Sequence, residues 1–317
     1  MIEVRNLTKH FGPKVAVDNI SFRVAKGEVL GFLGPNGAGK STTMRMVTGY
    51  YPPTAGEIAI GGISMLENPV EAKRKIGYLP ENAPLYTDLS VQGFLSYAAE
   101  LRGLTGSAKK QAVERAIETT FLQRVARQAL DTLSKGYRHR TCLAQSLIHD
   151  PEILILDEPT DGLDPNQKHE VRQLLKRLGH DKAIVFSTHI LEEVEAACSR
   201  AIIIDQGRVV ADGSPDELKS RARRSGSVKV KISGLAGSGI RQELERLPAA
   251  DAIEAEADAE SEAGFTGLIY PKARTKSELA GQVFDLCKSR SWNLGELHTD
   301  EGRLDEMFRE ITAQDKA

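Results

Sequence analysis

Two short runs of this sequence combine residue types that can do chemistry. The first is Gly34-Pro35-Asn36-Gly37-Ala38-Gly39-Lys40-Ser41-Thr42, which satisfies the pattern G-x-x-x-x-G-K-[ST]. It follows an apolar run at 29–33 that reads as a strand, and it opens a segment of helical pattern. Glycines let the backbone curl until successive N–H groups face one phosphate, and a helix start adds a favourable dipole. Lys40 is expected against the β- and γ-phosphates, with the Ser41 hydroxyl on Mg²⁺. The second run is Ile153-Leu154-Ile155-Leu156-Asp157-Glu158, a hydrophobic strand that ends in acid. Two adjacent carboxylates at a buried strand end are costly unless a cation or a reaction engages them. Asp157 is therefore expected to hold Mg²⁺ through water, and Glu158 to orient and deprotonate an attacking water.

The elements that must carry these runs are written in the hydrophobic pattern. Residues 153–156, 183–186 and 201–204 are uninterrupted apolar stretches, as expected of strands covered on both faces in an α/β sheet. Val91, Phe94, Leu95 and Ala98 follow i, i+3, i+4, i+7 spacing, as do Val171, Leu174, Leu175 and Leu178, so helices are expected between the strands. A length of 317 residues suits two domains. Past Gly213 the texture changes. Residues 221–227 end in Ser-Gly-Ser and read as a linker. Val228, Val230 and Ile232 then alternate with Lys229 and Lys231, the mark of a half-exposed strand in a different sheet. A helix at 240–247, strands at 252–257 and 265–271, a helix at 277–289 and a strand at 293–298 follow. That βαββαβ order predicts a small ferredoxin-like α+β domain over 228–317. Leu304, Met307, Phe308 and Ile311 close the chain with a helical stripe, expected to be a docking surface.

Composition excludes several classes. Lys and Arg number 42 against 44 Asp and Glu, a net charge of -2, and aromatic residues are 5% of the chain. Neither phosphate neutralisation nor base stacking is provided for, so no nucleic-acid partner is expected. Cys142, Cys198 and Cys287 form no CxxC pair, which argues against a disulfide framework or a zinc site and fits a reduced compartment. No stretch approaches the roughly 18 apolar residues of a membrane span, and the first residues do not read as a signal peptide.

With further motifs, residues 1–218 resemble the nucleotide-binding subunits of ABC transporters. Leu133-Ser134-Lys135-Gly136-Tyr137 stands upstream of Asp157, where that family has its LSGGQ signature. Asp161-Gly162-Leu163-Asp164 resembles the D-loop, and His189 in Ser187-Thr188-His189 resembles the switch histidine. Phe11 stands where an aromatic ring stacks on adenine, and Glu81 in Gly77-Tyr78-Leu79-Pro80-Glu81 holds the Gln-loop position. The resemblance implies a P-loop NTPase fold, a RecA-like core with antiparallel β and helical subdomains, the latter at about 84–150. It implies ATP and Mg²⁺ as ligands. Glu158, His189 and Glu81 would then serve catalysis, and Ser41, Asp157 and Glu81 the metal. Phe11, the loop 34–42, Ser134, Lys135, Gly136 and Asp164 would contact nucleotide. By the same resemblance the signature reaches the γ-phosphate bound to a second copy, so two sites close only in a head-to-tail dimer.

The sequence also departs from the family pattern. Glu81 replaces Gln, and Lys135 and Tyr137 replace Gly and Gln of the signature. Lys135 either adds positive charge near the γ-phosphate or faces solvent. Leu-Pro-Glu, Leu-Ser-Lys-Gly-Tyr-Arg and the trailing helix resemble ATPases of type-2 ABC exporters, including the gliding-motility-associated group. The expected function is the ATP-hydrolysing motor of a bacterial exporter, with domains at 1–220 and 228–317. Its partners would be a second copy and an integral-membrane permease, at the cytoplasmic face of the inner membrane. The alternative is a non-transport ABC ATPase acting in DNA maintenance or translation, which ordinarily carries a long coiled-coil insertion or a second fused ATPase domain. A metabolic P-loop kinase would require neither the signature nor His189. The C-terminal region is expected to steady the dimer or contact the permease, with ligand sensing as the other possibility.

Overall fold

The computed structural model describes residues 1–234, 237–261, 264–272 and 275–313. The chain divides into two compact units, Met1–Pro215 and a second beginning at Asp216. The first unit opens with strands β1 (Ile2–Phe11), β2 (Lys14–Val24) and β3 (Val29–Leu33), then helix α1 (Lys40–Val47). Strands β4 (Ala55–Ile60) and β5 (Ile63–Ser64), helix α2 (Pro69–Arg74) and strand β6 (Ile76–Leu79) follow. Helices α3 (Val91–Leu101), α4 (Gly106–Thr119) and α5 (Lys135–Leu147) come next. The remainder alternates β7 (Ile153–Asp157), α6 (Pro165–Leu178), β8 (Ala183–Thr188), α7 (Leu191–Ala197), β9 (Arg200–Asp205) and β10 (Arg208–Gly213).

Two sheets result. One is antiparallel, in the order β2-β1-β4-β5, and the other runs β10-β9-β3-β8-β7-β6. In the second, β3, β6, β7, β8 and β9 are parallel and β10 is an antiparallel edge. Strands β3, β7, β8 and β9 are buried on both faces, which accounts for their continuous apolar runs. Ile153 and Ile155 of β7 point into a core shared with Phe22, Phe32 and Met44. Leu154 and Leu156 point the other way, toward Leu143 of α5 and Val171 and Leu174 of α6. Each such fully buried side chain contributes roughly 1.5–3 kcal/mol. Helices α3, α4 and α5 close on a separate core that includes Phe94, Leu95, Val113 and Ala144. Helix α3 starts where Ser90 Oγ accepts from Gly93 N at 3.1 Å. Among the described residues no helix is long and apolar enough to cross a membrane.

The second unit continues from α8 (Pro215–Lys219) with β11 (Val228–Ser233), α9 (Gly237–Glu245), β12 (Ala250–Ser261), β13 (Gly264–Pro271), α10 (Leu279–Arg290), β14 (Asn293–Thr299) and α11 (Leu304–Ala313). Its sheet order is β12-β13-β11-β14, antiparallel throughout, which gives the βαββαβ arrangement. Val228, Val230 and Ile232 pack with Ile240, Leu244, Leu279 and Val283, so α9 and α10 cover one face. Strand β12 is longer than the pattern at 252–257 indicates, because it pairs with β13 as a hairpin up to Ser261. The terminal stripe differs from expectation. Leu304 and Met307 are each 1% exposed, and Phe308 and Ile311 are partly buried, so the apolar face of α11 is spent inside the chain. Leaving it in water would forfeit the burial that holds the helix down.

Candidate active site

Strand β3 delivers the glycine-rich loop, and α1 begins at its end. Gly34 lies so close to β9 that a Cβ there would stand 2.3 Å from the Ile204 carbonyl oxygen. Gly39 has φ +107°, and a Cβ would meet the Ala16 carbonyl at 2.6 Å. No residue with a side chain fits either position, so the curl of the loop requires glycine at both. The first-turn N–H groups of α1 lack intrahelical partners, as at any helix start, and make an anion site. Lys40 is 6% exposed, and its Nζ donates to the carbonyls of Gly34 at 2.7 Å and Pro35 at 3.1 Å. Burial lowers its pKa, against the opposing pull of Glu158, Asp157 and Glu81.

The loop floors a cavity of about 420 Å³, lined by Asn36, Gly37, Gly39, Lys40, Ser41 and Thr42 and edged by Phe11, Glu81 and Glu158. Phe11 ends β1 with 44% exposure, its ring edge-on to Tyr51 at 5.6 Å, so it belongs to the rim and not to the core. Lys14 and Ala16 also line the cavity, and nothing in their residue type announces it.

Strand β7, beside β8 in the sheet, sets the acids against the loop. The Ser41 hydroxyl donates to Asp157 Oδ1 at 3.1 Å, and Ser187 Oγ donates to the same oxygen. Asp157 is fully buried, yet its Oδ2 has no hydrogen-bond partner. An orphaned carboxylate oxygen beside a serine hydroxyl is a hard oxygen donor set that suits Mg²⁺. Glu158 sits one residue past the strand with φ +51°, a left-handed conformation that costs a side-chain-bearing residue about 1–3 kcal/mol. Its N–H donates to Ser187 O at 3.2 Å and to Ser187 Oγ at 3.1 Å. His189, just past β8, places Nδ1 3.1 Å from both Glu158 carboxylate oxygens. Burial raises the Glu158 pKa, while the hydrogen bond and charge of His189, and the charge of Lys40, oppose that rise.

The signature residues lie elsewhere. Ser134 caps α5, accepting from Tyr137 N at 3.4 Å, and the helix begins at Lys135. Lys135 Nζ lies 2.8 Å from Asp161 Oδ2, so it pairs with the turn after β7. Lys135 lowers the Asp161 pKa in turn. Asp164 caps α6 by accepting from Gln167 N at 2.9 Å. None of Ser134, Lys135, Gly136 and Asp164 lines the cavity. The structure thus brings together the loop, Phe11, Glu81, Asp157, Glu158 and His189, and leaves the signature outside the cavity lining. Sequence reasoning missed Ser187 as the link between Asp157 and Glu158, although it stands in the same Ser-Thr-His run.

Comparisons with known proteins agree with this geometry. Residues 17–161 match the family model described as ABC transporter. The linearmycin resistance ATP-binding protein LnrL of Bacillus subtilis (strain 168) is 38% identical over 237 residues, 74% of this chain and 76% of that protein. The Nod factor export ATP-binding protein I of Burkholderia orbicola (strain AU 1054) is 36% identical over 244 residues, 77% of this chain and 80% of its own. Among solved structures, the dimeric post-hydrolysis state of the ATP-binding cassette MJ0796 bound to ADP and Pi superimposes with a TM-score of 0.63. It is 25% identical and covers 68% of this chain and 99% of that one. The cradle for phosphate, the orphaned acid beside it and these relatives lead to one conclusion: the chain belongs to the ABC transporter family, as one of its ATP-binding, ATP-hydrolysing subunits.

Proposed function

We propose that this subunit is the motor of a bacterial exporter, working at the cytoplasmic face of the inner membrane against a separate integral-membrane permease. The names of its relatives, linearmycin resistance and Nod factor export, support the export sense. The observation that carries the hydrolytic reading is the Glu158–His189 pair at the edge of the cavity that Lys40 and Ser41 floor. In this reading the loop N–H groups and Lys40 hold the β- and γ-phosphates, and Phe11 stacks on adenine. Ser41 and Asp157 hold Mg²⁺, with Glu81 at the rim as a further oxygen donor. The bound ion neutralises phosphate charge. Glu158 accepts the proton of the attacking water, and burial makes it a stronger base than a surface carboxylate. His189 fixes where that carboxylate points.

Ser134, Lys135, Gly136 and Asp164 then serve the site of a second copy. The Lys135–Asp161 pair ties the signature turn to the D-loop, so both are presented on one face. ATP binding closes two copies head to tail, hydrolysis reopens them, and the permease follows between two states. The dimeric form of the MJ0796 cassette supports such pairing. We assign the second unit, which carries none of these motifs, to steadying the dimer or contacting the permease. Mixing a Lys40→Ala chain with a Ser134→Arg chain tests the shared sites. Each mixed dimer holds one site with both defects and one with neither, so partial recovery of ATPase activity is expected. No recovery, with mixed dimers demonstrated, contradicts the geometry.

A further inference from the structure

A buried acid outside the cavity holds the two catalytic turns together. Glu193, in α7, is 1% exposed. Its Oε1 accepts from Thr160 Oγ1, and its Oε2 accepts from Thr188 Oγ1 at 2.8 Å. Both threonines are buried, at 2% and 0% exposure. Lys168 Nζ and Arg172 Nη2, from α6, each lie 3.9 Å from Oε1 and offset the carboxylate charge, without which a buried acid is strongly unfavourable. The positions of the two threonines give this contact its meaning. Thr160 follows Glu158 by two residues, and Thr188 immediately precedes His189. Thr188 Oγ1 also accepts from Ile190 N at 3.0 Å, so its hydroxyl fixes the chain on both sides of the histidine.

We propose that Glu193 is a positioning residue for hydrolysis, a clasp whose two oxygens set the turn bearing Glu158 against the turn bearing His189. This rests on the assignment of Glu158 as the base. Glu158 needs such restraint, because a residue held at φ +51° stays there only where its surroundings over-determine it. Its N–H is fixed to Ser187 on one side, and Thr160 on Glu193 fixes the chain on the other. Glu193 touches none of the loop residues that bind phosphate, so its loss should move kcat and leave ATP binding alone.

Steady-state and single-turnover hydrolysis by the full chain test this. A displacement of about 1 Å in a catalytic group costs roughly 10²-fold. Glu193→Ala should therefore lower kcat on that order with ATP affinity unchanged. Glu193→Gln keeps the shape and one acceptor oxygen, and should recover most of the loss. In the Glu158→Gln background, Glu193→Ala should add almost nothing, since both changes act on one group. Thr160→Val and Thr188→Val remove one arm each and decide the question should Glu193→Ala fail to fold. Both must lower kcat with ATP affinity unchanged. Wild-type kcat in Glu193→Ala, or in both valine variants, overturns the clasp, as does an undiminished effect in the Glu158→Gln background. Wild-type hydrolysis by Glu158→Gln alone overturns the base assignment and this proposal with it. Failure of the clasp alone leaves the Glu158→Gln defect in place.

Discussion

Ser187→Ala removes a single buried oxygen that serves two acids at once. Ser187 is 0% exposed, and its Oγ donates to Asp157 Oδ1 while accepting from Glu158 N at 3.1 Å. Without it, Asp157 Oδ1 keeps only the Ser41 hydroxyl at 3.1 Å, and Oδ2 already lacks a partner. A hydrogen bond to a charged group contributes about 1.5–3 kcal/mol net. The Glu158 N–H loses less, because the Ser187 carbonyl still accepts it at 3.2 Å. The sum is about 2–3 kcal/mol, or roughly 30- to 150-fold in the opening equilibrium of this unit. Because the chain has two units, a whole-chain denaturation midpoint mixes two transitions. Hydrogen exchange at the β7 amides reads the first unit alone, and should accelerate by that factor. The kcat for ATP should fall on the order of tenfold as Glu158 loosens. Unchanged β7 exchange together with wild-type kcat would refute the linkage of the two acids through Ser187.

Two further outcomes follow from the same geometry. Burial raises the Glu158 pKa, so the folded state disfavours its ionised form; that destabilisation is absent below the unfolded value, about pH 4, and complete above the folded one. Glu158→Gln should therefore raise the thermal midpoint of the first unit at neutral pH and leave it unchanged near about pH 4, and an equal shift at both would contradict the sign. Ending the chain at Pro215 removes the second unit whole. The remainder should bind ATP normally but assemble less well into dimer or permease complex, which sedimentation and co-purification read directly; wild-type assembly would refute the role given to that unit.

The sequence disclosed most where one physical constraint acts alone. Residues 153–156 had to be a central strand, because their alternate side chains enter two different cores. The glycine-rich loop was legible because close backbone approaches admit nothing larger at Gly34 and Gly39. Long-range pairings were not legible. The pairing of Lys135 with Asp161, 26 residues away, arises only when folding sets the α5 start beside the turn after β7. Glu193 reads as one of three acids on α7, with Glu192 and Glu195, and nothing local says which is buried. The stripe at Leu304 and Met307 shows that α11 needs an apolar partner, but not that the partner is its own chain.

The central claim is that Glu158 is the base of an ATPase site built on the 34–42 loop. Single-turnover hydrolysis of Mg·ATP by Glu158→Gln tests it most directly, with nucleotide affinity measured alongside. Loss of a general base costs roughly 10²–10⁴-fold in rate, whereas Lys40 and Ser41 remain to hold the phosphates. The account predicts a slow, ATP-loaded protein of wild-type affinity; hydrolysis at the wild-type rate would contradict it.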